Sequence, residues 1–275
     1  MLTISPLALL TLSACGGDGT ESTSSAQTIT GNIIKGPLSN ALVFLDLNGN
    51  GTRDGSETPV RTDSNGSFSL SATGSNYTIV ALTDETTVDT SSGSVLSGVT
   101  LKAPSGASVV TPTTTLMEEG DLTAAQVAEV LNLPDDVDPL TFNPFAAGVD
   151  SADALAVEKV SQQIMTAVSS FASAAEGAGA SEADAFTAAL GSVIEVVKVK
   201  AENLSDENAS VADKTLDFSN ASDLNLIKAE VTGKTENLSG IDADAVSALI
   251  DDTTTSIKNV NDEIGKVADV TSDAT

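Results

Sequence analysis

Hydrophobic rhythm along the chain changes near residue 118. From about 28 to 115 the chain is rich in Thr, Val, Ser and Gly, and no long helical period runs through it. Segments 29–34, 41–47, 67–71, 77–82 and 108–111 read as strands. Phe68 and Leu70 alternate with Ser67, Ser69 and Ser71, as a strand with one buried and one solvated face requires. Ala41-Leu42-Val43-Phe44-Leu45 is instead an unbroken apolar run, the pattern of a buried strand. Asp63-Ser64-Asn65-Gly66 reads as a turn, because Asn-Gly readily supplies positive φ. Short strands with regular turns predict a β-sandwich over 28–118.

From Asp121 onward the period becomes helical. Segment 123–133 reads as a short amphipathic helix stopped by Pro134. Segment 135–147, with Pro139 and Pro144, reads as a connector, so 119–150 joins the two halves. Ser151 is the expected N-cap of a long helix reaching Gly177, in which Val157, Val160, Ile164, Val168, Phe171 and Ala175 step by three and four. Ser181 to Asp184 resembles a capping box. Phe186, Leu190, Val193, Val197, Ala201 and Leu204 form the next stripe, and Leu224, Ile227 and Val231 mark a shorter helix. A last helix over 242–267 carries Val246, Ile250, Thr253, Ile257, Val260, Ile264 and Val267 at a four-three spacing close to a heptad seam. The expected fold is α+β and multidomain: a sandwich followed by a helical bundle over 151–275. Ile164, Phe171, Leu190, Val197, Ile257 and Ile264 are its expected core. The last stripe also admits a partner-binding or oligomerising face, which Thr253 on the seam weakens. The abrupt ending at 270–275 leaves a longer native protein open as an expectation.

One dodecapeptide stands out. Residues 46–57 place oxygen-bearing side chains at loop positions 1, 3, 5, 9 and 12: Asp46, Asn48, Asn50, Asp54 and Glu57. Gly51 stands at the sharp turn, and Thr52 would offer its backbone carbonyl. Calcium is a hard cation that takes six to eight oxygens, and this spacing delivers them to one point. The alternative is an Asn/Asp/Gly-rich hairpin loop without metal. Arg53 occupies the position where helix-flanked loops of this type carry an aliphatic residue, and the preceding run reads as strand. The loop is therefore expected to be strand-flanked, with a structural ion that does not drive opening.

Composition narrows the chemistry. Twelve Lys and Arg against 39 Asp and Glu give a net charge of −27, which repels nucleic acid. With no His, a Ser-His-Asp or Cys-His nucleophile and a His-ligated zinc are excluded. Adjacent acids such as Glu118-Glu119, Asp135-Asp136 and Asp251-Asp252 do not face each other on a helix, and a chain this acidic contains such pairs by chance.

Leu7-Ala8-Leu9-Leu10-Thr11-Leu12 is an apolar core too short to span a bilayer. It is followed by Leu12-Ser13-Ala14-Cys15, which resembles the lipobox of bacterial lipoproteins, whose Cys is lipidated and becomes the mature N-terminus. That resemblance implies a signal segment over 1–15, a lipid membrane bound through Cys15, and a flexible tether over 16–27. Met1 to Pro6 lacks the usual positive charge, so the true start is expected upstream. Cys15 is the only cysteine, so no internal disulfide forms.

A second resemblance covers about a third of the chain. Gly36-Pro37-Leu38, the run Ala41 to Asp46, the loop, and Thr62-Asp63-Ser64-Asn65-Gly66-Ser67-Phe68-Ser69-Leu70 follow each other in order. That order is similar to the calcium-binding B domains of serine-aspartate repeat adhesins and to carboxypeptidase-regulatory-like modules. It implies a transthyretin-like or Ig-like sandwich holding calcium through Asp46, Asn48, Asn50, Thr52, Asp54 and Glu57. Val109 to Leu116 also resembles modules of secreted bacterial repeat proteins, in which a helical segment follows.

The leading functional expectation is a non-catalytic, lipid-anchored protein of a bacterial cell envelope. It would act as a calcium-stabilised stalk, adhesin-like module or scaffold, with an envelope protein or a glycan as partner. A carbohydrate-binding envelope module is the alternative, although such modules stack sugars on Trp and Tyr, and here there is no Trp and only Tyr77. A hydrolase of unusual type ranks last.

Overall fold

A computed structural model of the chain describes residues 26–238 and 241–268. The signal segment, Cys15 and nearly all of the expected tether lie outside the described residues. The fold is mixed, with several small sheets in the N-terminal half and helices in the C-terminal half.

In the first sheet β1 (Gln27–Ile33) lies at the centre. It pairs antiparallel with β5 (Ser67–Ala72), with Ile29 opposite Leu70, and parallel with β9 (Val109–Val110). The second sheet runs in the order β4 (Val60–Arg61), β3 (Leu42–Asp46), β6 (Thr78–Leu82) and β8 (Thr100–Pro104), antiparallel throughout. Two short strands, β2 (Leu38–Ser39) and β7 (Val88–Asp89), form a third pair. Ile33, Phe68 and Leu70 of the first sheet share one apolar cluster with Val43, Leu45, Ile79, Ala81, Leu101 and Ala103 of the second. Phe44 and Val80 lie opposite each other in register and are also fully buried. The second sheet is thus covered on both faces, as the unbroken apolar run of β3 demands.

Strand β8 was not expected, although Leu101 and Ala103 are buried while Thr100 and Lys102 are half-buried. Its outer edge is closed by helix α1 (Pro112–Gly120). The Lys102 N–H donates to Thr115 Oγ1 at 2.9 Å, and Thr114 Oγ1 donates to the Lys102 carbonyl at 2.8 Å. Two helix hydroxyls thereby satisfy an edge that would otherwise template pairing with another chain. Helix begins well before Asp121 because local chemistry starts it at Thr111. The Thr111 side chain accepts from the Thr114 N–H, Thr114 Oγ1 accepts from the Thr111 N–H, and Pro112 opens the first turn.

Helix α2 (Ala124–Val130) is capped by Thr123, and α3 (Ser151–Gly177) by Asp150 instead of Ser151; Asp150 accepts from the Ala152 and Asp153 N–H groups. Ser181 caps α4 (Glu182–Glu202) as its spacing predicts. Helices α5 (Val211–Lys214), α6 (Ala221–Thr235) and α7 (Ala243–Lys266) complete the half. Ile164 and Phe171 of α3, Val193 and Val197 of α4, Ile227 of α6, and Val246, Ile250 and Ile257 of α7 lie in one cluster. The last helix therefore spends its stripe within the chain. The heptad reading of that stripe fails beyond Ile257: Val260 is 48% exposed, Ile264 is half-buried, and Asn261 is sealed instead. A straight helix advances 3.6 residues per turn, so a 3.5-residue seam drifts off the buried face after two heptads. Leu190 is half-buried for its part, at the rim of the cluster.

The two halves are joined through packed side chains. Met165 of α3 belongs to the sheet cluster, and Leu140 and Phe186 pack against both clusters.

Candidate metal centre

Strand β3 ends on Asp46 and β4 starts at Val60, so the dodecapeptide is a strand-to-strand loop. Asp46 and Glu57, its first and last ligand positions, are each only 3% exposed. Asn48, Asn50 and Thr52 are exposed, Asp54 is half-buried, and Arg53 is exposed. The loop is thus a cup with a buried acidic base and a solvent-facing rim.

Backbone amides organise the base. Asp46 Oδ1 accepts from the Asn48 N–H at 3.2 Å and the Gly49 N–H at 2.7 Å, and Oδ2 accepts from the Gly51 N–H at 2.7 Å. Glu57 Oε1 accepts from the Leu47 N–H at 2.9 Å, and Oε2 from the Asp54 N–H at 2.7 Å. Around the rim, Asn48 Oδ1 accepts from the Asn50 N–H at 3.0 Å and Asn50 Oδ1 from the Thr52 N–H at 2.7 Å. These successive Asx turns wind the loop and leave each amide oxygen a second lone pair. Gly51 takes φ 69°, a left-handed turn that disfavours a side chain, and a Cβ there would also press on the Lys102 ammonium, 3.1 Å away.

Burial raises the Asp46 carboxyl pKa, but the amides of Gly51, Gly49, Asn48 and Asn50 outweigh it and hold the group below the ordinary aspartate value. Asp46 is therefore ionised well into acid. None of the ion pairs among the described residues involves Asp46, Asp54 or Glu57. Backbone amides therefore carry the charge of Asp46 without help from a cationic side chain among the described residues.

The acids are not drawn together as a finished cage. Asp54 Oδ2 accepts the side-chain amides of Asn48 at 2.6 Å and Asn50 at 3.1 Å. Among the described residues no group of three or more His, Cys, Asp or Glu is placed to hold a metal ion. The available donors are all oxygens, mixed from carboxylate and amide. That chemistry suits a hard cation such as calcium and not a soft or imidazole-seeking metal.

The adjacent acids noted in the sequence serve elsewhere. Glu118 accepts from Thr78, Glu119 pairs with Lys102 at 2.5 Å, Asp251 pairs with Lys228, and Asp135 and Asp136 are exposed. Sequence reasoning missed Lys102, whose ammonium lies near Gly51 of the loop while its ion pair reaches α1; the period-two alternation of 100–103 was the available signal. No protein-family model, curated protein or solved structure matches the chain. No helix among the described residues is long and apolar enough to cross a membrane.

Proposed function

We propose that this chain is a non-catalytic protein of a bacterial cell envelope, lipid-anchored through Cys15, in which calcium stiffens a transthyretin-like sandwich. The sandwich and the helical bundle behind it would serve as a stalk, adhesin-like module or scaffold. The observation that carries the reading is the loop base, where the buried carboxylates of Asp46 and Glu57 are wired to backbone amides and form no ion pair with a cationic side chain among the described residues. Asp46, Asn48, Asn50, Asp54 and Glu57 would hold the ion with the Thr52 carbonyl, and the ion would neutralise the base. Anchoring rests on the Leu12-Ser13-Ala14-Cys15 resemblance.

The melting temperature of the full chain, read in chelator and in millimolar calcium, tests the metal. A rise with calcium that Asp46→Ala or Glu57→Ala abolishes supports the site; equal melting in both conditions overturns it. Mass spectrometry of protein from its own host tests the anchor. A lipidated N-terminal Cys15 is expected, and an unmodified chain beginning at Met1 would sink it.

A further inference from the structure

Helix α3 carries an acid that the calcium reading does not use. Glu158 is only 8% exposed, although it sits on a helix facing other elements. Its Oε1 accepts the Gln162 side-chain amide at 2.6 Å, and its Oε2 is buried without a hydrogen-bond partner. Asp89, at the end of β7, is 2% exposed. Its Oδ1 accepts from Ser91 N–H at 2.9 Å, Ser91 Oγ at 2.6 Å and Ser92 N–H at 3.4 Å, while Oδ2 also lacks a hydrogen-bond partner. Gly36, at φ 67°, leaves the room that the Asp89 carboxylate fills. The charged groups acting on Glu158 are Asp89 and, from the turn between β1 and β2, Lys35. The Lys35 ammonium lies 3.6 Å from Asp89 Oδ2.

The inventory is unbalanced: two buried carboxyl groups share one ammonium. Lys35 compensates one negative charge, and Asp89, with three donors on its other oxygen, holds it. A second ionised acid would be buried and uncompensated. A hydrogen on Glu158 removes that charge. We propose that Glu158 is a proton-operated latch at the joint between α3 and the sheet half, protonated when the joint is closed and loosening it on ionisation.

Burial pushes the Glu158 carboxyl up to about 7, with Asp89 adding to the rise and Gln162 and Lys35 opposing it. A folded-state value raised above the unfolded one means stability that is complete below the unfolded value. It is lost as pH rises to the folded value. The window is pH 4.5 to about 7. With no His in the chain, no unperturbed side chain has its midpoint between pH 5 and 7.

Denaturant unfolding of the full chain at fixed calcium, from pH 5 to 8.5, tests the latch. The unfolding constant of the natural protein should rise roughly a hundredfold across the window, and Glu158→Gln should flatten that rise. An equally steep rise in Glu158→Gln, or no rise in the natural protein, overturns the proposal. Carboxyl 13C titration of the natural protein needs no variant. A Glu158 midpoint near 7 supports the latch, and one near an ordinary glutamate, about 4.3, overturns it. Asp89→Asn removes the opposing charge and should move the midpoint down; an unmoved midpoint overturns the pairing.

Discussion

Asp46 and Glu57 at the loop base and Asp89 and Glu158 at the sheet–helix joint are all nearly sealed from solvent, yet they are treated differently. Every carboxylate oxygen of the first pair accepts a backbone N–H, whereas one oxygen of each acid in the second pair has no hydrogen-bond partner. Position in the chain explains the contrast between Asp46 and Glu158. Asp46 stands where a strand gives way to a tight loop, and the N–H groups of that loop have no ladder to join. Glu158 stands inside a helix, where each N–H is already committed to the carbonyl four residues back. A buried acid on a loop can stay ionised and recruit a cation, while one on a helix must find a side-chain cation or keep its proton. Asp223 shows the remaining solution: on α6 it meets the buried Lys200 ammonium at 2.6 Å.

Breaking that matched pair should have the largest effect. Asp223→Ala leaves Lys200 charged and buried, and should cost about 3–5 kcal/mol in denaturant unfolding. If the cost is under about 1 kcal/mol, burial at Lys200 is not what sets the contrast. Packing without charge gives a reference on the same helix as Glu158. Ile164→Ala should cost about 2–5 kcal/mol at every pH, unlike Glu158→Gln. At Ile257 the same change should destabilise a monomer independently of protein concentration, and a sedimenting dimer that dissolves in the variant would contradict the intramolecular packing of α7.

The loop pair should respond next. At a hundredfold calcium excess over Kd the folded state gains about 2.7 kcal/mol, and Glu57→Ala should erase it. Acid sharpens the contrast with Glu158. Because the Asp46 value is lowered on folding, its contribution is present above the unfolded value of 3.8 and is lost as pH falls. Stability should therefore fall on the acid side through the loop and on the neutral side through the joint. An Asp46→Asn protein that loses stability in acid as steeply as the natural one would break the first half of that statement. The smallest effect belongs to Arg61 and Asp84, paired at 2.7 Å but about 40% exposed on both sides. Removing Arg61 should cost about 0–1 kcal/mol in thermal melting, because solvent screens the pair.

Local pattern made much of this legible. The strands at 29–34, 41–47, 67–71 and 77–82 correspond to β1, β3, β5 and β6, because a buried face repeats every second residue wherever it occurs. Ser181 announced its helix because a cap satisfies amides within three residues of itself. The loop acids were identifiable because ligand spacing and Asx turns are written in consecutive residues. Helix α1 was missed because Thr is a poor helix former, although the Thr111 cap and Pro112 are local signals; its contact with β8 gives Thr114 and Thr115 partners inside the helix.

The sequence by itself determined β1, β3, β5 and β6, the helices α2, α3, α4, α6 and α7, and where an oxygen-lined loop stands, since each depends on neighbours in the chain. Tertiary structure alone decided that Lys200 meets Asp223, that Asn261 donates to the Phe218 carbonyl, and that Glu158 comes under the charge of Asp89. Those outcomes join residues far apart in sequence, and the cost of a buried charge is set by what surrounds it in space.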